Sequence, residues 1–127
     1  MTNPLEPGLY VVATPIGNLS DLSERAIATL RAAEVVAAED TRTSGTLVKR
    51  AGGSGRMVSL TEHNVEQRTP QLLAAAREGV VALVSDAGTP VIADPGARLV
   101  EAAHAAGVRV IPIPGPSALA AAISASG

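Results

Sequence analysis

The stretch Ala82–Gly96, ALVSDAGTPVIADPG, decides how the rest of the chain reads. The apolar run Val80-Val81-Ala82-Leu83-Val84 has the composition of a fully buried strand, and it stops abruptly at Ser85-Asp86. Gly88, Pro90, Asp94, Pro95 and Gly96 follow, and a helical pattern then runs over Ala97–Ala106. A strand that ends in small, turn-forming residues and feeds a helix is where open α/β sheets hold ligands. Gly88 has no side chain, so a ligand can touch the backbone there. Pro90 and Pro95 stiffen the loop, so less entropy is lost on binding.

The same unit recurs on both sides. Downstream, Gly107 ends the helix, Val108–Ile113 reads as a strand, and Pro114-Gly115-Pro116-Ser117 leads into a small-residue helix from Ser117 to Ala125. Upstream, a helix ends near Glu78 with Gly79 as its cap. Its start is ambiguous, because Pro70 interrupts the pattern that opens at Val65. Strands at Met57–Leu60, Val35–Ala38 and Leu9–Ala13 precede it. Between them lie a helix opened by Thr43 or Ser44 and running to Arg50, a flexible loop at Gly52, Gly53 and Gly55, and a helix from Ser20 or Asp21 to about Ala33. Thr2–Gly8 reads as a loose leader. Regular alternation of strand and helix predicts an α/β fold: a parallel five-stranded sheet with helices on both faces and right-handed crossovers.

In such a sheet the segments after the strands gather on one edge. Here they read TPIGN, EDTR, LTEHN, SDAGTP and PGPS, and Asp21, Glu39, Asp40, Glu62, Asp86 and Asp94 fall in or beside them. Turn chemistry alone accounts for Gly, Pro, Asp and Asn in any single βα loop, but less readily for all five together. No glycine-rich phosphate fingerprint follows any strand, which argues against a nucleotide-phosphate module. An acidic cleft lined by Gly and Pro suits a cationic or hydroxyl-rich ligand, such as a sulfonium carrying a ribose. Arg42, Lys49, Arg50 and Arg56 form a basic counter-stretch with no acid between Thr41 and Thr61. It reads either as a phosphate contact patch beside the cleft or as a solvated helix face.

With 127 residues, 46% of them hydrophobic, the chain can bury one core. The net charge of −2 gives no global pull toward nucleic acid or membrane. There is no cysteine and only one aromatic residue, Tyr10, so neither thiolate chemistry nor base stacking is available. The two histidines, His63 and His104, lie too far apart in sequence for a metal-ligand spacing, and Ser85 and Ser117 have no histidine at motif spacing. No apolar run reaches membrane-spanning length, and MTNPLEPG lacks the features of a signal peptide; a cytoplasmic protein is expected.

Four motifs in order, LYVVATPIGNLSDLSERA, AAEDTR, LVSDAGTPVIADPG and PIPGPSAL, resemble the N-terminal half of the ribosomal small-subunit RNA 2′-O-methyltransferases of the tetrapyrrole methylase family. The resemblance covers nearly all of Leu9–Gly127. It implies methyl transfer from S-adenosylmethionine to a cytidine ribose 2′-hydroxyl in small-subunit ribosomal RNA, by a two-lobed protein with the cofactor between its lobes. Carried over by motif, Pro15, Ala87, Gly88, Thr89, Ile92, Ser117 and Ala118 would hold the cofactor. Asp40, with Glu39 beside it, would handle the proton. On the phosphate-patch reading of the basic counter-stretch, Arg42, Lys49 and Arg50 would contact the RNA substrate. The expectation is a flexible leader over residues 1–8 and an N-terminal lobe over residues 9–127. The second lobe would lie beyond Gly127, so the piece would be inactive alone and prone to form a homodimer. The competing readings are a methyltransferase for a tetrapyrrole or protein acceptor, and a non-catalytic interaction domain.

Overall fold

The computed structural model describes residues 5–12, 14, 22–84 and 95–113. Among the described residues nine elements alternate: β1 (Gly8–Val12), α1 (Glu24–Ala32), β2 (Val35–Ala38), α2 (Thr41–Arg50), β3 (Arg56–Ser59), α3 (Val65–Glu78), β4 (Val80–Val84), α4 (Pro95–Ala105) and β5 (Val110–Ile113). All pairings are parallel, in the order β3-β2-β4-β1-β5. The chain thus forms the expected five-stranded parallel sheet with helices on both faces.

The run Val80–Val84 takes the central place that its composition requires, and every residue in it is buried. Its side chains alternate between two cores. Val81 and Leu83 join Leu9, Val35, Ala37 and Val58 under α3 and α4. Val80, Ala82 and Val84 join Tyr10, Val12, Val36 and Ala38 under α1 and α2. The steps β1→β2→β3 run toward one side of the sheet with their helices on one face. The steps β3→β4→β5 run back with theirs on the other, so all four crossovers share one hand, in keeping with the right-handed rule.

Several boundaries differ from the sequence reading. The strand β1 starts at Gly8, and the Tyr10 hydroxyl donates to the Glu6 carbonyl at 2.7 Å, so the end of the supposed leader is tied to the sheet. The first helix starts later than Ser20 or Asp21 suggests, because Ser23 accepts from the Ala26 amide at 3.1 Å and caps it. Helix α2 starts earlier than Thr43 or Ser44, since Asp40 is its cap. The glycine loop is not slack: the Gly53 amide donates to the Val48 carbonyl at 2.9 Å, and a Cβ on Gly53 would lie 2.5 Å from the Leu30 carbonyl oxygen. Only glycine lets that turn lie against α1.

Helix α3 begins at Val65 and accommodates Pro70 in its second turn. Gly107 ends α4 with φ of 73°; its amide donates to the His104 carbonyl and that of Val108 to the Ala103 carbonyl, the bond pair of a Schellman cap. Strand β5 consequently starts at Val110 rather than Val108. The expected helix over Ser117–Ala125 lies outside the described residues.

Candidate active site at the carboxyl edge of the sheet

The five strands end level with one another. Ser59 pairs with Ala38, Ala38 with Val84, Val84 with Val12, and Val12 with Ile113. One row across the sheet is therefore the last row of every strand, and the segments that follow all start from a single rim. At a spacing of about 4.8 Å per strand, the rim is roughly 19 Å long. Neighbouring strands β1 and β4 pass into helices on opposite faces, which opens a crevice between their ends at Val12 and Val84. Pro15, Ala87, Gly88, Thr89, Ile92, Ser117 and Ala118 lie outside the described residues. The described strands place the starting points of the segments that contain them.

Beside this crevice stands the end of β2, an unusually small surface of Ala37 and Ala38. Glu39 follows it, exposed. Asp40 comes next and is fully engaged as the cap of α2: Oδ1 accepts from the amides of Arg42 at 3.0 Å and Thr43 at 3.3 Å, and Oδ2 accepts from the Thr43 hydroxyl at 3.1 Å. The hydrogen bonds from Thr43, backbone and side chain, hold the Asp40 carboxyl below its ordinary range, with smaller help from Arg42. This is the environment of a stable anion.

After β3 the turn bonds to itself: Asn64 Oδ1 accepts from the Thr61 amide at 2.8 Å and the Thr61 hydroxyl from the His63 amide at 3.2 Å. Glu62 and His63 stay exposed. The segments after β2 and β3 thus offer Glu39, Asp40 and Glu62, with no lysine or arginine before the next helix starts. That donor set fits a cationic, hydroxyl-rich ligand better than a phosphate. Thr14, 2% exposed, is a buried polar residue on the segment after β1 that the sequence reading passed over in favour of Pro15. Nothing in the residue types around Thr14 signals its burial.

The basic stretch divides. Arg42 sits in the first turn of α2, at the rim, whereas Lys49 and Arg50 sit in its last turn, about 10–12 Å away toward the opposite edge of the sheet. Arg56 opens β3 at that far edge. Among the described residues no group of three or more His, Cys, Asp or Glu can hold a metal ion, and no helix is long and apolar enough to cross a membrane.

The profile described as Tetrapyrrole (Corrin/Porphyrin) Methylases matches residues 8–127. A protein of Mesorhizobium japonicum named ribosomal RNA small subunit methyltransferase I is 57% identical over 98% of this chain, which covers 42% of that protein. A protein of the same name from Escherichia coli O157:H7 is 51% identical over 94% of this chain, again covering 42% of the relative. The chain therefore spans about two fifths of the length of these curated relatives. The crystal structure of the native form of uroporphyrin III C-methyl transferase from Thermus thermophilus matches with a TM-score of 0.67 and 28% identity, over 90% of this chain and 51% of that one. The profile match runs through all five strands and the segments that follow them, and the chain belongs to the tetrapyrrole (corrin/porphyrin) methylase family.

Proposed function

We propose that the chain is the cofactor-binding lobe of an S-adenosylmethionine-dependent methyltransferase whose acceptor is a cytidine ribose 2′-hydroxyl in small-subunit ribosomal RNA. The observation that carries this reading is the level row of strand ends, which starts all five connecting segments, four of them motif-bearing, from one rim. The names of the more similar relatives support RNA as the acceptor class. The motif resemblance supplies the cytidine and its 2′-hydroxyl. The bound cofactor supplies a methyl group on a sulfonium centre. What the described residues add is a carboxylate-bearing rim of matching charge and a cap that fixes the start of α2 beside it.

Transfer to a hydroxyl requires its proton to leave as the oxygen attacks. Glu39 and Asp40 are the candidates beside the end of β2. Asp40 is the weaker base, because three hydrogen bonds stabilise its ionised form. Glu39, exposed and one residue from the strand end, is the better acceptor. In the protein expressed from its complete reading frame, Glu39→Gln is expected to slow methyl transfer by about 10²–10⁴-fold, the usual weight of a proton acceptor. Asp40→Asn, which preserves a good cap, is expected to slow it far less. Equal activity of Glu39→Gln and wild type removes Glu39 from this role.

The cofactor reading is tested by calorimetry with S-adenosylhomocysteine. Heat and thermal stabilisation are expected; their absence favours a non-catalytic interaction domain. Label transferred from S-adenosylmethionine to a porphyrinogen instead of small-subunit RNA would move the chain to the tetrapyrrole branch, which the Thermus thermophilus structure represents.

A further inference from the structure

Resting on that reading, we propose that the outer face of α2, extended by Arg31 of α1, is a phosphate track that lays the RNA acceptor across the sheet edge and delivers one nucleotide to the rim. Arg42, Lys49 and Arg50 are all exposed on α2. Arg42 and Lys49 are seven residues apart, close to two full turns, so they share one stripe along the helix. Exposed Thr46 lies between them on that stripe. At the far end Arg31 reaches over from the last turn of α1, its Nε donating to the Ala51 carbonyl at 2.7 Å. That bond fixes the guanidinium at the C-terminus of α2 and leaves its other nitrogens to act as donors.

Among the described residues Arg31, Lys49 and Arg50 form no ion pair, while Arg42 has the Asp40 carboxylate of its own helix cap nearby. Among the described residues the ion pairs are Arg98–Glu66 and Arg109–Glu6, neither of them on α1 or α2. Glu34, at the same edge of the sheet, has its carboxylate over Gly79 instead. Basic residues in a last turn complement the helix dipole, which gives Arg31, Lys49 and Arg50 a structural reason to be there. That reason fails for Arg42. It sits in the first turn, where the dipole disfavours a cation, and its local counter-charge is the capping Asp40 carboxylate just ahead of the helix. A stripe that is basic at both ends of a helix, in a chain of net charge −2, matches a polyanion lying along it. Phosphate contacts of this kind set position and register and leave base recognition to other surfaces. The guanidinium fork of arginine suits phosphate oxygens.

The test measures binding of a small-subunit ribosomal RNA fragment across a salt series, using the protein from its complete reading frame. For Lys49→Gln/Arg50→Gln the slope of log affinity against log salt is expected to become shallower by about 1–2, at roughly 0.7–0.9 per phosphate contact. Adding Arg31→Gln should flatten it further. Lys49→Arg/Arg50→Lys, which keeps both charges, should retain the wild-type slope. So should Arg77→Gln/Arg98→Gln, which removes two charges from the α3–α4 face. Unchanged S-adenosylhomocysteine affinity establishes that each variant is folded. A slope that Lys49→Gln/Arg50→Gln leaves unmoved, or that the α3–α4 control moves equally, overturns the track. If wild type binds S-adenosylhomocysteine and methylates RNA, that result removes the track alone. If wild type methylates no RNA, it is the underlying functional reading that fails.

Discussion

Asp40 illustrates how one carboxylate is assigned by its donors rather than by its neighbours in sequence. The motif resemblance implies that it handles a proton. The structure instead spends its oxygens on the amides of Arg42 and Thr43 and the hydroxyl of Thr43. Because the folded-state value is lowered, its support for α2 is complete above the ordinary carboxylate range, about 3.9 for a free aspartate, and is lost as pH falls through the lowered folded value. Thr43→Val removes the hydroxyl donor but keeps the amide. The Asp40 carboxyl should then titrate closer to its ordinary value, which a carbon-detected NMR titration reads directly; an unmoved titration would mean that the hydroxyl contributes nothing. The sequence reading opens this helix at Thr43 or Ser44, although Asp40 belongs to the same class of capping residue. Only the extended backbone at Asp40, with φ of −108° and ψ of 100°, selects among them. Side-chain burial was equally hidden at Thr14, whose polar type gives no hint that it is enclosed.

At the scale of elements, composition gave β2 and β4 their boundaries to the residue, since Val-rich and Ala-rich runs buried on both faces have no competing pattern. Helix ends were less legible, because caps depend on local dihedrals. Helix α3 is the instructive case. Pro70 breaks the helical signal, yet α3 passes through it, and the Glu66 carbonyl loses the donor that residue 70 would normally supply. The neighbouring Thr69 hydroxyl donates to the Val65 carbonyl at 2.6 Å. Pro70 is exposed and lines a shallow pocket of about 270 Å³ with Val65, Glu66, Thr69, Arg98 and Ala102. Pro70→Ala restores the missing N–H at little cost in packing. It should therefore raise stability by about 1–3 kcal/mol in urea unfolding, within the penalty of an interior proline. A loss of stability would show that the ring packs more tightly than its exposure indicates.

The whole molecule is a sheet with a separate core on each side, and their separation can be measured. Leu30 under one pair of helices and Leu99 under the other are both 0% exposed. Truncation of either to Ala should cost about 2–5 kcal/mol. Because the sheet stands between them, the double variant should sum the two losses to within about 0.5 kcal/mol; a larger discrepancy would mean that strain passes through the sheet. The shared edge at which the strands end was legible from the alternation of strand and helix. The order β3-β2-β4-β1-β5 was not, because no local pattern records which strands become neighbours. Tyr10 sits on β1, between β4 and β5 in that order, 4% exposed, its hydroxyl bonded to the Glu6 carbonyl. As the only Phe, Tyr or Trp in the chain, it is also the sole intrinsic fluorophore. Its emission, undiluted by any other fluorophore here, gives a label-free optical signal for whether the segment around Glu6 is seated against the sheet.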